Sequence, residues 1–173
     1  MRIAINVAVF YAAWFAAVLA AAKGWAVEAT LVSLAVVLLH LLIEKDRKRE
    51  ISIICAAGVF GVAVETIMVQ SGLAVYAADG PVPGFAPAWL VAMWMAFATL
   101  FNVSLKWMQS RLWLAILFAA IGGPASYFAG MKMGGMTIAE PVWISLAFLA
   151  VMWAIAFPIL LILARQGAPS PPA

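Results

Sequence analysis

Charged side chains are scarce in this chain of 173 residues: only 10% are Asp, Glu, Lys or Arg, against about a quarter in soluble domains. Hydrophobic residues make up 68% of the sequence. Such a composition excludes a soluble globular protein. The net charge of +3 does not indicate a nucleic-acid partner, because the basic residues cluster beside the apolar runs. We therefore expect no nucleic acid among the partners.

Cysteine and histidine each occur once, as Cys55 and His40. A single cysteine cannot form an internal disulfide, and we interpret it as a small buried hydrophobic residue. One histidine and one cysteine, on different apolar runs, cannot supply the ligands of a usual zinc site. The sequence also lacks a Walker loop, GxSxG and HExxH. We predict no metal and no cofactor, and the enzyme classes that these motifs mark have no support in the sequence.

Long apolar runs are abundant instead, and a bilayer-spanning helix needs about 20 such residues. They predict an all-α, polytopic transmembrane helical bundle of about six spans in residues 1–165, a single domain, with a disordered proline-rich tail at 166–173. The predicted spans cover about 3–22, 26–43, 51–70 and 87–105, a fifth that begins after Arg111, and 142–164. The longest predicted loop is 71–86.

The basic residues predict the orientation of the bundle. Eight of the ten Lys and Arg residues lie at the end that holds both termini, so the positive-inside rule predicts N-in and C-in. We expect a multi-pass protein of the bacterial inner (cytoplasmic) membrane. The dense charge run at 44–50 is predicted to be a solvated turn. Tryptophans near span ends, Trp89 among them, are interpreted as an aromatic belt. Residues 1–22 also resemble a signal peptide, an alternative in which they would be cleaved.

Glu65 is the most unusual polar residue, because it lies about fourteen residues into the third span. Inserting a carboxylate at a helix centre costs about 3 kcal/mol. Gly58, Gly61 and Glu65 share one helix face, so we expect this face to meet a neighbouring helix and Glu65 to point inward. No Lys or Arg lies at its depth, so a neutral carboxyl is expected. Two interpretations of Glu65 remain open: a hydrogen bond that stabilises the contact between helices, and a carboxyl that carries a proton or binds substrate.

The fifth span has small residues every four positions from Gly122 to Gly134, and Pro124 is expected to interrupt its backbone hydrogen bonding. The alternative interpretation is that Pro124 and the glycines only kink the helix and allow it to pack closely, without a functional role. The polar residues expected in one outer layer are Glu65, Glu28, Ser126 and Tyr127. We predict that the first is catalytic and that the other three bind substrate.

A second polar layer is expected near the cytoplasmic face. His40 lies close to the end of the second span, and Thr99 and Asn102 lie on one stripe of the fourth. We predict catalytic roles for His40 and Asn102 and a substrate-binding role for Thr99, around a shallow pocket. Interfacial hydrogen bonding is the alternative interpretation.

Two stretches carry a family resemblance: Phe-Ala-Thr-Leu-Phe-Asn-Val-Ser-Leu-Lys-Trp at 97–107 and Gly-Gly-Pro-Ala-Ser-Tyr-Phe-Ala-Gly at 122–130. The segment from Asn6 to Trp14 and the Pro-Ala-Trp at 87–89 add to it. Over about residues 4–165 the chain resembles the bacterial inner-membrane domain-of-unknown-function family 2878. The family has no established activity. The resemblance implies that the gene lies near genes for cyclopropane-fatty-acid-synthase-like methyltransferases and flavin oxidoreductases. It also implies an acidic residue at the position of Glu65.

Three functions are consistent with these features. The first is a lipid-modifying enzyme, or an accessory to membrane-lipid modification under envelope or oxidative stress, with the bilayer as partner and a lipid as substrate. The second is a small-solute or proton-coupled transporter, expected as a homo-oligomer, although the halves show no internal repeat. The third is a non-catalytic scaffold. A cavity that opens to the side of the bundle would favour the lipid-modifying function. A path that opens to both membrane faces would favour the transporter, and a solid core would favour the scaffold.

Overall fold

A computed structural model describes residues 1–166 of the chain. Gln166 ends the last helix, and the rest of the predicted tail, 167–173, lies outside the described residues. The elements in chain order are α1 (Arg2–Ala22), α2 (Ala26–Ile43), α3 (Arg47–Gln70), β1 (Ala74–Tyr76), α4 (Ala88–Ala98), a 3-10 helix (Lys106–Ser110), α5 (Leu112–Lys132), β2 (Met136–Ile138) and α6 (Val142–Gln166).

The predicted all-α membrane bundle is confirmed. Five of the six α-helices within residues 1–166 are long and apolar enough to cross a bilayer, and α4 is a shorter apolar helix. Many large apolar side chains on the long helices face outward, as a lipid-facing surface requires. We call the end with segment 44–50 and the 3-10 helix the charged end, and the end with β1 and β2 the strand end.

The fourth helix ends earlier than predicted, at Ala98 and not near Leu105. Beyond Ala98 the backbone tightens into turns with bonds between residues three apart, such as Leu100 N–H to Phe97 O at 3.1 Å. The Thr99 hydroxyl also bonds back to the Ala96 carbonyl, at 2.7 Å. This irregular stretch is tolerated at depth because protein covers it, and Phe101 within it is fully buried.

The third helix begins four residues earlier than predicted, inside the charge run. Asp46 caps it, because its carboxylate accepts a hydrogen bond from the backbone N–H of Arg49 at 3.3 Å. The run is therefore not only a solvated turn: Lys45 to Lys48 are exposed, but Glu50 is 3% exposed and points into the bundle.

The fifth helix is continuous from Leu112 to Lys132 with Pro124 inside it, so the expected break in this span is wrong. Two further expectations also fail. Cys55 is exposed on α3 and not buried. Trp89 is buried, and its indole N–H bonds to the Ala78 carbonyl at 3.2 Å, so it does not belong to an aromatic belt.

The sheet at the strand end is an addition to the predicted fold. β1 follows α3, β2 follows α5, and the two pair antiparallel with Val75 opposite Thr137. The backbone N–H of Ala139 extends the ladder to the Leu73 carbonyl at 3.0 Å. This pairing ties the loop after α3 to the turn after α5, and it fixes the position of Tyr76 over the bundle.

The central helix is α4, which packs against α2 and α3 and more lightly against α1. The α5–α6 pair joins the rest chiefly through α6 on α3. In contrast, α1 and α5 scarcely touch. A gap is therefore left on the side of the bundle between these two helices.

Candidate functional site

Two buried acids on α3 organise the polar interior. Glu65 has no exposed surface, and Glu50 is 3% exposed. They are fifteen residues apart, which is about 22 Å along the helix. Glu65 lies towards the strand end and Glu50 at the charged end, so each builds a separate network.

Three donors from three different elements converge on the carboxyl of Glu65. The hydroxyl of Tyr76, on β1, donates to Oε2, and the hydroxyl of Tyr127, on α5, donates to Oε1. The indole N–H of Trp94, on α4, donates to Oε1 at 2.8 Å. The prediction that Glu65 points inward beside Tyr127 is confirmed. The catalytic role of Glu65 and the substrate-binding role of Tyr127 stay predictions.

Tyr76 acts as a neutral donor in this cluster. Its burial, and after that the nearby carboxyl of Glu65, raises the pKa of Tyr76 well above its usual value of 10.0. Tyr76 is therefore a fixed hydrogen-bond donor over the physiological pH range. It comes from a segment that the sequence assigns to a loop, so nothing in the spans points to it.

Glycines explain why α4 comes close enough for this contact. A Cβ atom at Gly61, one turn before Glu65, would lie 2.8 Å from Cγ of Trp94. At Gly58 it would lie 3.2 Å from Cγ of Met95. The predicted close contact of this α3 face with a neighbouring helix is thus confirmed, and the neighbour is α4.

A second tryptophan stacks on the first. The rings of Trp94 and Trp153 lie 4.3 Å apart between centroids, with 17° between their planes. Gly123 of α5 packs tightly against Trp153, because a Cβ there would lie 2.4 Å from Cγ of that residue. A glycine thus makes room for each indole, Gly61 for Trp94 and Gly123 for Trp153. Their N–H groups differ: Trp94 donates to Glu65, whereas the buried N–H of Trp153 lies near the Tyr127 hydroxyl and makes no well-aligned hydrogen bond within residues 1–166.

A cavity of about 630 Å³ lies in the gap between α1 and α5, with α4 and α6 behind it. Its volume is within the range of roughly 300–1,000 Å³ that is usual for small-molecule sites. Half-exposed Tyr11, Phe15 and Phe118 stand at its opening. The wall is largely aromatic, through Phe10, Tyr11, Trp14, Phe15, Trp89, Trp94, Phe97, Phe118, Tyr127, Trp153 and Phe157.

The small residues of α5 make room for this cavity. Gly122, Ser126 and Gly130 all line it. A Cβ at Gly122 would meet nothing nearer than 3.9 Å, from Phe118 of the same helix. Along this stripe α5 therefore faces open space, in contrast to Gly123, which packs tightly.

The predicted outer cluster is only partly assembled. Ser126 lines the cavity, but its hydroxyl donates to the Gly123 carbonyl of its own helix at 2.7 Å and not to Glu65. Glu28 is exposed near the start of α2, so its expected place in the cluster is wrong. Near the helix end a carboxylate can stay hydrated and needs no buried partner. The binding role of Ser126 stays a prediction.

At the charged end, Glu50 joins the predicted pair. His40 Nε2 lies 2.8 Å from Oε2 of Glu50, and Asn102 Nδ2 donates to Oε1 at 2.8 Å. The side-chain oxygen of Asn102 accepts from Arg49 at 2.9 Å and from Gln109 at 3.0 Å. The structure thus brings His40 and Asn102 together through an acid that the sequence reading placed in a solvated turn.

Thr99 does not join this network. Its hydroxyl bonds to its own helix, and its carbonyl accepts from the Asn6 side chain at 3.3 Å. The side chains of His40, Asn102 and Glu50 bond to one another and none lines the cavity between α1 and α5. The predicted catalytic roles of His40 and Asn102 and the predicted binding role of Thr99 stay predictions. The hydrogen bonds at the charged end are those of a network that stabilises the fold.

No candidate metal site is present among residues 1–166, because no three His, Cys, Asp or Glu side chains there lie close enough together to hold an ion. The chemistry that the Glu65 site can offer is proton donation and acceptance. Tyr127 is among the residues that line the cavity, and its hydroxyl bonds to Glu65, so this side chain connects the carboxyl to the cavity wall.

Mid-span tryptophans were the missed signal for this site. Trp94 and Trp153 lie far from any span end, where an aromatic belt cannot explain them. A donor at such depth needs a partner, and Glu65 at a similar depth is an acceptor. Glu50 left no comparable signal, because it belongs to a run of charges.

Comparison with protein families identifies the chain. Residues 3–159 match the family described as "Protein of unknown function (DUF2878)", and the chain belongs to this family. The resemblance noted in the sequence is thereby confirmed. No curated protein and no solved structure matches the chain significantly.

Proposed function

We propose that this member of the family is a multi-pass protein of the bacterial inner membrane that takes an apolar lipid into the cavity between α1 and α5 and serves membrane-lipid modification, as an enzyme or as its accessory. The observation that carries the proposal is the cavity itself, which is aromatic, about 630 Å³ in volume and open on the side of the bundle. A lateral opening gives access from the hydrocarbon, where such a substrate is dissolved.

The Glu65 cluster supplies the polar chemistry in this proposal. Tyr127 reaches the cavity, and Glu65 behind it can take or return a proton through the shared hydrogen bond. Trp94 and Tyr76 hold the carboxyl in place by further bonds. In this scheme Tyr127 touches the lipid, and Glu65 acts through it.

A cavity-filling variant tests the proposal. In Gly122→Leu the new side chain points into open space, so it should fill the cavity without disturbing the packing of α5. Ala147→Leu is the matched control, because it adds a similar side chain to the exposed surface of α6, away from the cavity. The assay is the lipid profile of a deletion strain complemented with each variant, with protein abundance measured by immunoblot.

We expect the deletion to change the lipid profile, Ala147→Leu to restore it, and Gly122→Leu to fail at normal abundance. Lipid that copurifies with the wild-type protein, measured by mass spectrometry, should also be lost in Gly122→Leu. Full restoration by Gly122→Leu would show that the cavity is not the working site, and the proposal would fall.

A proton-coupled transporter is the second candidate, and the two buried acids of α3 favour it. Against it, the buried residues of α3 between Glu50 and Glu65 are apolar or glycine, from Ile53 to Val64. Proteoliposomes separate the two functions: a pH-sensitive dye should report proton flux that Glu65→Gln abolishes if the protein is a transporter. We expect no flux above empty liposomes.

A further inference from the structure

The wall of the cavity between α1 and α5 offers few polar groups to a ligand. Four of its polar side chains already donate their N–H or O–H within the protein, namely Trp89, Trp94, Ser126 and Tyr127. The indole N–H of Trp153 is buried beside the Tyr127 hydroxyl. The remaining two are Tyr11, half-exposed at the opening, and Trp14, one turn further along α1 and partly exposed. A polar group deep inside the cavity would therefore lack a hydrogen-bond partner, which is costly.

Neither end of the cavity can hold a charged headgroup. Among residues 1–166, no Lys, Arg, His, Asp or Glu side chain lines the cavity. Val7 and Leu105 line it towards the charged end, and Val18 and Met136 line it towards the strand end. A phosphate at either place would have no cation to pair with, and an unpaired ion in hydrocarbon is strongly disfavoured. The headgroup of a bound lipid must therefore stay outside the cavity.

The cavity is long in the direction of the helices. Its wall on α1 runs from Val7 to Val18, eleven residues or about 16 Å. Its wall on α5 runs from Phe118 to Gly130, twelve residues or about 18 Å. One leaflet of a hydrocarbon core about 30 Å thick is roughly 15 Å deep. The cavity therefore matches the length of a lipid chain that lies parallel to the helices.

We propose that one hydrocarbon chain of a bilayer lipid lies lengthwise in this cavity while the headgroup of that lipid stays outside the protein. The protein then selects its lipid by the chain and not by the headgroup. The chain enters through the lateral opening, at whose edge Tyr11, Phe15 and Phe118 are half-exposed. The inference rests on the proposed function, because it names the part of the lipid that the cavity takes.

Brominated lipids test this inference, because a bromine atom quenches the fluorescence of a tryptophan that it contacts. Four of the eight tryptophans line the cavity: Trp14, Trp89, Trp94 and Trp153. The other four, Trp25, Trp107, Trp113 and Trp143, are exposed, so their replacement by Phe should be tolerated. The full-length protein with these four replacements then reports only from the cavity wall. It is reconstituted in nanodiscs of phosphatidylcholine with a rising fraction of 11,12-dibromo chains.

A filled cavity should exclude the brominated chain. In the same tryptophan-reduced protein, Gly122→Leu should lose most of the quenching at the highest bromolipid fraction, and the residual quenching should come from the partly exposed Trp14. Ala147→Leu, on the exposed surface of α6, is the matched control and should be quenched like the parent protein. Equal unfolding midpoints in the two variants show that the loss does not come from unfolding.

A comparison of headgroups needs no cavity variant. The same dibromo chains on anionic phosphatidylglycerol should reach half-maximal quenching at a lipid fraction within about 3-fold of that for phosphatidylcholine. A preference of about tenfold or more for one headgroup would overturn the inference, since it corresponds to about 1.4 kcal/mol of headgroup recognition.

Equal quenching of Gly122→Leu and Ala147→Leu would overturn it as well, because no chain would then lie in the cavity. The proposed function is judged separately, by the lipid profile of the deletion strain. If Gly122→Leu still fails to restore that profile, the proposed function survives the loss of this inference.

Discussion

Replacing Glu65 by glutamine and by alanine should give very different proteins, because three buried donors depend on this carboxyl. Alanine leaves the hydroxyls of Tyr76 and Tyr127 and the indole N–H of Trp94 without their acceptor. Each unpaired buried donor costs about 1–3 kcal/mol, so the free energy of unfolding should fall by roughly 3–9 kcal/mol. Since folded proteins have only about 5–15 kcal/mol in reserve, Glu65→Ala should be scarce or unfolded.

Glutamine should be tolerated far better. Its carbonyl oxygen can take the position of Oε1 and keep both Trp94 and Tyr127, while its amide nitrogen faces Tyr76. The hydroxyl of Tyr76 can turn to accept from that amide, so the expected loss is about 1 kcal/mol. The measurement is the thermal unfolding of both variants in detergent. A Gln variant as unstable as the Ala variant would contradict the three-donor geometry.

The same glutamine variant decides the role of the carboxyl. A folded Glu65→Gln that fails to complement a deletion strain would indicate that Glu65 works by exchanging a proton, which glutamine cannot do. Full complementation at normal abundance would remove Glu65 from the site. The His40–Asn102 layer would then become the better candidate.

Three further outcomes are expected from the rest of the fold. Gly123→Ala should lower the free energy of unfolding by about 1–3 kcal/mol, because the new Cβ would lie 2.4 Å from Cγ of Trp153. Gly122→Ala, the control, should be neutral or stabilising. Equal unfolding midpoints in these two variants would contradict the tight packing at Gly123. The raised pKa of Tyr76 gives stability that is complete below about pH 9 and declines at higher pH, because the unfolded chain ionises there before the folded one does. The decline between about pH 9 and 11 should therefore be smaller in Tyr76→Phe, and an identical decline would argue against the burial of Tyr76. Reporter fusions should place the loop at 71–86 outside the cytoplasm, and a cytoplasmic signal there would reverse the predicted orientation.

The fold was largely predictable because apolar length alone marks a membrane helix. The bounds predicted for α2, 26–43, match those observed, and α1 and α6 agree to within two residues. The sequence analysis missed two features of the fold: the early end of α4 and the sheet at the strand end. Both depend on contacts with distant segments, such as Asn6 with the Thr99 carbonyl and Val75 with Thr137, which no periodicity within one span reveals.

The site was half predictable for a related reason. Glu65 and Tyr127 stood out because a polar group at depth must find a partner, and depth follows from counting residues. Glu28 was misplaced because lipid-facing and interior positions are both apolar in such helices, so the sequence gives depth but not direction. Tyr76 lies on a strand that forms only when β1 and β2 meet. Its contribution required the structure.

The charged-end network should prove to be structural, and one pair of variants can show it. Glu50→Ala leaves His40 and Asn102 without the carboxylate that both contact at 2.8 Å, in a buried setting, so the free energy of unfolding should fall by about 2–4 kcal/mol. Glu44→Ala breaks the ion pair with the exposed Arg2 at the same end, and surface pairs contribute only about 0–1 kcal/mol. Because none of the buried groups lines the cavity, the Glu50→Ala protein that does fold should retain its full activity per molecule. Chemical unfolding in detergent and complementation normalised to abundance measure the two quantities. Normal abundance with lost activity in Glu50→Ala would move the working site from the cavity to the charged end.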